Sequence, residues 1–182
     1  MMNNLPELNA EFIDNDDDTI NFLDNLASSV VKCLIHSGLK LSTAESLTGG
    51  MIAEYITSVP GASEIIELGV VSYTDRIKSQ ELDVSEKTLE KYTAVSQQVA
   101  IEMAKGIMKK SGSDISVSVT GIAGPDGGTD KQPVGTVYAC VIYKDKINVV
   151  NLKLYERYKA LDRKKVRMLT CAYALKMIED IL

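Results

Sequence analysis

The stretch "TAESLTGG", Thr43–Gly50, sets Ser46 beside a carboxylate, Glu45, and just ahead of the glycine pair Gly49-Gly50. A serine before a helix is either an N-cap or a nucleophile. The glycines favour chemistry. Each costs a helix roughly 1 kcal/mol, and both expose backbone N–H groups that could hold a phosphate or a developing oxyanion. A second pair stands in "SYTDRIK", where Tyr73 and Lys78 lie five apart across the end of an apolar run. On a surface they are a rim tyrosine and a solvated lysine. In a dry pocket the lysine sheds its proton more readily and becomes a general base for a serine.

A third concentration is "TGIAGPDGGTDKQPVG". Gly121, Gly124, Gly127, Gly128 and Gly135 are five of the chain's 12 glycines, and Pro125 and Pro133 are two of its four prolines. A long connection of this kind is a binding-loop candidate. No Gly-Lys-Ser/Thr follows, so it is not a phosphate-binding P-loop, and no GxGxxG opens a helix. Arg163 and Arg167 sit four apart near the start of the last helical segment. They are either a salt-bridged surface or a phosphate clamp, since guanidinium pairs well with phosphate.

Composition narrows the chemistry. The chain has 182 residues, 45% hydrophobic and 25% charged, which suits one globular domain. Its one histidine, His36, falls at the end of a helical segment, which argues against a histidine-dependent triad. The three cysteines, Cys33, Cys140 and Cys171, show no CxxC spacing. A zinc site is not expected, and the pattern suits a reduced, cytoplasmic protein. The formal charge is −5, but six acids and no lysine or arginine lie within residues 1–18. The near-neutral body argues against a nucleic-acid partner. No apolar run is long enough to span a membrane, and no secretory signal is visible.

The elements that must position these residues follow from periodicity. Residues 1–17 read as an acidic, flexible arm, and 18–182 as one domain. A helix is expected over "DTINFLDNLASSVVKCLIHSG", with Ile20, Leu23, Leu26, Val30, Val31 and Leu34 on one face, Asp18 as N-cap and Gly38 just past its end. A strand at 39–44, a helix over "GGMIAEYITSV", a strand at about 66–73 and a short helix over "SEKTLEKY" come next. The helix "SQQVAIEMAKGIMKK" has Val99, Met103 and Ile107 on one face and Ser96 as its cap. The strand "DISVSVTG" and a hairpin turning at Lys144-Asp145-Lys146 precede the last helix, whose stripe is Val166, Leu169, Tyr173, Met177 and Ile181. The order implies an α/β fold: a three-layer α/β/α sandwich around a mixed sheet.

Five motifs in one order, "TAESLTGG", "GVVSYTDRIK", "AVSQQVAIEMAKG", "VTGIAGPDGG" and "PVGTVY", resemble the C-terminal domain of the competence/damage-inducible CinA proteins. The resemblance runs from about residue 22 to 181, and the chain looks like the stand-alone form. Many members of that family are nicotinamide-nucleotide amidases. The resemblance therefore implies hydrolysis of nicotinamide mononucleotide to nicotinic acid mononucleotide and ammonia, with no cofactor. Ser46 falls on the family's nucleophile, Lys78 on its lysine and Tyr73 on its tyrosine. Thr48, Gly49 and Gly50, with Thr120, Gly121, Ala123, Gly124 and Gly128, correspond to substrate-holding walls. Some positions depart from the family pattern: Leu47 stands for a frequent cysteine, Arg76 for an acid, Tyr92-Thr93 for a His-Gly pair, and Leu161 for a glycine.

The expected mechanism has Lys78 take the Ser46 proton, with Tyr73 as a relay, and amides near Gly49 and Gly50 hold the oxyanion. The phosphate falls to the 121–128 loop or to Arg163. Glu45 either favours the cationic pyridinium or pairs with Lys78. The expected partner is a small nucleotide substrate, with a homodimer or higher homo-oligomer as the assembly. The competing expectation is an inactive nucleotide- or protein-binding module.

Overall fold

The computed structural model describes Leu8 and residues 16–182; the arm expected over 1–17 lies outside the described residues, apart from Leu8 and the first two positions of a helix. Five strands, β1 (Leu41–Glu45), β2 (Ile66–Val71), β3 (Ile115–Gly121), β4 (Val137–Tyr143) and β5 (Lys146–Asn151), form one sheet. Their order is β2-β1-β3-β4-β5. β1 runs parallel to β2 and β3, while β4 and β5 continue the sheet antiparallel. Helices α1 (Asp16–Ser37), α2 (Met51–Thr57) and α7 (Arg163–Ile181) cover one face. Helices α3 (Asp75–Leu82), α4 (Glu86–Tyr92) and α5 (Gln97–Ser111) cover the other, and α6 (Leu154–Arg157) is a single turn between β5 and α7. This is the mixed three-layer sandwich the element order implies.

β3 shows how one strand serves two unlike faces. Ile115, Val117 and Val119 join the large core under α1, α2 and α7. Ser116, Ser118 and Thr120, on the alternate positions, are buried toward the other layer. Ser118 donates to the Ala100 carbonyl at 2.6 Å and Thr120 to the Ala94 carbonyl at 2.8 Å. Small hydroxyl side chains thus let α5 lie close, and those of Ser118 and Thr120 are satisfied while Ser116 Oγ is buried without a partner. α5 presents Val99, Met103 and Ile107 to a second core with Ala44 and Leu82, as their spacing implies, and Ser96 accepts from the Val99 amide at 3.3 Å.

Several boundaries moved. α1 begins at Asp16, so Asp18 lies inside it and is not the N-cap. An acidic residue is favoured anywhere in a first turn, so the run of aspartates singles out no start. Ile20, expected on the buried face, is 37% exposed, and Ala27 is buried in the core instead. Gly38 does follow the helix in a left-handed conformation, with the Leu39 amide returning to the Leu34 carbonyl at 3.0 Å. α7 starts one residue after Asp162, which accepts from the Lys165 amide. Val166, Leu169, Tyr173, Met177 and Ile181 are all buried within the chain's own core. α3 was not foreseen: Thr74 caps it, accepting from the Ile77 amide at 3.3 Å, directly after β2.

Candidate active site

β1, β2 and β3 lie side by side and parallel, so their carboxyl ends meet at one edge of the sheet, where open α/β folds build sites. Ser46 is the first residue past β1, and its amide donates to the Val119 carbonyl of β3 at 3.1 Å. Its side chain is 9% exposed at the floor of a cleft of about 210 Å³. Lys78 arrives from α3. Helical side chains lean toward the helix N-terminus, which here is the end of β2. Lys78 Nζ therefore reaches back to donate to the Ser72 carbonyl at 2.8 Å and to Ser46 Oγ at 3.1 Å. The lysine is 1% exposed. Burial pushes its pKa below the usual 10.5, and the nearby Asp75 carboxylate partly opposes this.

Tyr73, Thr120, Gly121, Ala123 and Arg163 also line this cleft. Tyr73 is 56% exposed, and its hydroxyl accepts from Arg163 Nη2 at 2.7 Å. Lys78 meets Ser46 directly, so a proton passing between those two needs no relay. Arg163 donates through Nη1 to the Gly124 carbonyl at 2.8 Å, tying the glycine loop to the end of β2. Arg167 donates to the Thr48 carbonyl at 2.7 Å. The two arginines thus brace carbonyls around the site.

Other expected site residues stand elsewhere. Glu45 neither faces the cleft nor pairs with Lys78. Its Oε2 accepts from the amides of Gly50 and Ile52, and its Oε1 from that of Ala53, all within 2.9–3.1 Å. Gly49 and Gly50 are not in the first turn of α2 but form the reversal before it, with φ of +64° and +99°. Their amides go to the Ser46 carbonyl and the Glu45 carboxylate, so neither is free for an oxyanion. Thr48, though buried, lies outside the cleft lining. Gly124 and Gly128 lie off the lining too, and a Cβ on either would press on Val134 within 3 Å. Those two glycines serve the loop's own closure.

Sequence reasoning missed Leu47, Asp75, Ala94 and Val95, which complete the lining. Asp75 is the one with a legible signal, an acid three residues before the lysine on one helix. Ala94 and Val95 are held against the cleft by Thr120 and by Gln132, whose Nε2 donates to the Val95 carbonyl at 2.9 Å. Arg76 points elsewhere: it bonds Gln80 and lines a separate, larger groove of about 420 Å³ with α4. That groove shares only Asp75 with the cleft lining. Among the described residues, no group of three or more His, Cys, Asp or Glu side chains is placed to hold a metal ion. No helix among them is long and apolar enough to cross a membrane.

The arrangement suits acyl transfer: a largely buried hydroxyl, an amine whose pKa burial lowers, and a cleft large enough for a small amide. Comparison with known proteins gives the family. The family model for the CinA C-terminal domain matches residues 23–182. A CinA-like protein of Syntrophomonas wolfei is 43% identical over 155 residues, 85% of this chain and 36% of its own length. A CinA-like protein of Kosmotoga olearia is 42% identical over 159 residues, 87% of this chain and 37% of its own. The chain thus spans little more than a third of these curated relatives. The crystal structure of a competence-damaged protein (CinA) superfamily protein from Escherichia coli superposes with a TM-score of 0.85 at 33% identity, covering 99% of this chain and 96% of that one. With the matched region running from α1 to the end of α7, this chain belongs to the CinA C-terminal domain family.

Proposed function

We propose that this domain is an amidase that deamidates nicotinamide mononucleotide, using Ser46 as nucleophile and Lys78 as base. The observation that carries the reading is the 3.1 Å contact between Lys78 Nζ and Ser46 Oγ, made by a lysine almost wholly out of water. As an ammonium, Lys78 donates to Ser46. As a neutral amine it keeps its bond to the Ser72 carbonyl and accepts the Ser46 proton.

Ser46 Oγ adds to the carboxamide carbon while its proton passes to Lys78 Nζ. The tetrahedral intermediate collapses, and the C–N bond breaks as the Lys78 ammonium returns that proton to the leaving nitrogen. Ammonia departs. Water then attacks the ester on Ser46, with Lys78 again taking the proton and handing it back to the serine oxygen. The products are the pyridine carboxylate and free enzyme. The amides of Leu47 and Thr48 have no protein acceptor among the described residues, and they are the donors nearest in chain to Ser46. They replace those of Gly49 and Gly50 as the oxyanion donors. The ribose phosphate extends over the rim toward Arg163.

Ammonia release from purified protein, measured side by side on nicotinamide mononucleotide, free nicotinamide and glutamine, tests the assignment. The mononucleotide is expected to give the highest kcat/KM. Preference for another amide would move the substrate and keep the chemistry. Tight binding of the mononucleotide with no ammonia from any amide would make the domain a binding module.

A further inference from the structure

Glu45 is left without a task by the mechanism above, yet it is a carboxylate 1% exposed at the end of β1. Burying a charge costs several kcal/mol unless its lone pairs are met. Here three amides meet them, at Gly50, Ile52 and Ala53. A seven-residue helix does not require a buried carboxylate; a serine or asparagine cap would serve. A second side chain, Arg167 of α7, donates to the Thr48 carbonyl at 2.7 Å. Glu45 and Arg167 thus hold the peptide planes on either side of Gly49, and the Ser46 amide is held at the start of the turn by the Val119 carbonyl at 3.1 Å. The planes that carry the Leu47 and Thr48 amides lie between the held Ser46 amide and the held Thr48 carbonyl. The Gly49 amide is closed onto the Ser46 carbonyl at 3.1 Å. The amides that stay open are those of Leu47, which lines the cleft, and Thr48.

We propose that Glu45 and Arg167 are positioning residues that fix the second half of the Ser46–Gly50 turn, at the Gly50 amide and the Thr48 carbonyl, so that the open amides of Leu47 and Thr48 receive the oxyanion. The proposal rests on the reading of Ser46 as a nucleophile. Neither side chain touches substrate. Each acts through the backbone, and the effect falls on the transition state rather than on substrate binding.

The test compares wild type with Glu45→Gln, Arg167→Met and Arg167→Lys. Steady-state rates with nicotinamide mononucleotide are read alongside binding of pyridine-3-boronic acid. The boron of that probe accepts Ser46 Oγ and becomes a tetrahedral anion as the serine proton passes to Lys78. For Glu45→Gln and Arg167→Met, kcat is expected to fall about 10- to 100-fold and boronate affinity by a similar factor, with KM within about twofold of wild type. The pH at which the rate half-rises stays put, because Lys78 is untouched. Arg167→Lys keeps a donor for the Thr48 carbonyl and recovers most of the loss. Should Glu45→Gln fail to fold, the Arg167 pair decides alone. Unchanged kcat and boronate affinity, or a loss confined to KM, would overturn the proposal. A wild-type protein that forms no tetrahedral boronate and releases no ammonia would instead sink the serine reading itself, a result seen before any substitution is made.

Discussion

Lys78 is stabilised as an amine and penalised as an ammonium, and both effects reach solution measurements. Its pKa is lowered on folding, so between the folded value and 10.5 the unfolded chain binds more protons. Stability contributed by this group therefore rises with pH across that window, and below it the full penalty stays in place. Lys78→Met removes the penalty while filling much the same space. We predict a melting temperature at pH 7 equal to or above wild type, with the difference shrinking as pH approaches 10.5. The same variant should lose about 10²–10⁴-fold in kcat/KM. In wild type the active form is the neutral amine, so kcat/KM climbs with pH on a limb that half-rises below 10.5. At Thr93 the backbone takes φ 63° and ψ 166°, a region that strains any side chain. Thr93→Gly is predicted to stabilise by about 1–3 kcal/mol in chemical denaturation. Ser46 and Tyr73 stood out in the sequence as polar residues just past the apolar runs of β1 and β2, and Lys78 as a lysine five residues beyond Tyr73. The role of Glu45 did not, because residue type and spacing cannot say whether a carboxylate at a strand end faces a cleft or turns back on its own helix.

The packing of α5 against α3 sets where Lys78 can stand. A Cβ on Gly106 would lie 1.9 Å from the Leu82 carbonyl oxygen, at the end of the helix that carries the lysine. Gly106→Ala must push the two helices apart. We predict a loss of about 1–3 kcal/mol by denaturation, together with a fall in kcat as Lys78 withdraws from Ser46. Near-wild-type stability and rate would show that α3 is not held by this contact. Helices α1, α5 and α7 were readable from their apolar periods. α3 was not, since it runs eight residues and buries only Lys78 and Leu82, too few apolar positions to make a period. The glycine loop stands out in the sequence, but not what each glycine answers to within the loop. Gly124 and Gly128 each leave room for Val134, a contact made between parts of one loop that spacing alone does not reveal.

Across the molecule, two cores on opposite faces of one sheet hold three parallel strand ends in register, and the cleft forms where the sheet stops. The alternation of helices and strands made this architecture legible; the pairing order and the inward turn of α7 are tertiary outcomes that local pattern does not encode. The Ser46–Lys78 mechanism draws all its catalytic groups from the chain. A chelator is therefore predicted to leave both the rate and the melting temperature unchanged, whereas a bound structural metal would show as a drop in melting temperature on chelation. The most direct measurement is the rate of ammonia release from nicotinamide mononucleotide by wild type and by Ser46→Ala under one set of conditions. The account predicts turnover by wild type and a loss of at least about 10³-fold in the variant, with its fold intact by circular dichroism. A Ser46→Ala protein that releases ammonia at the wild-type rate would contradict it.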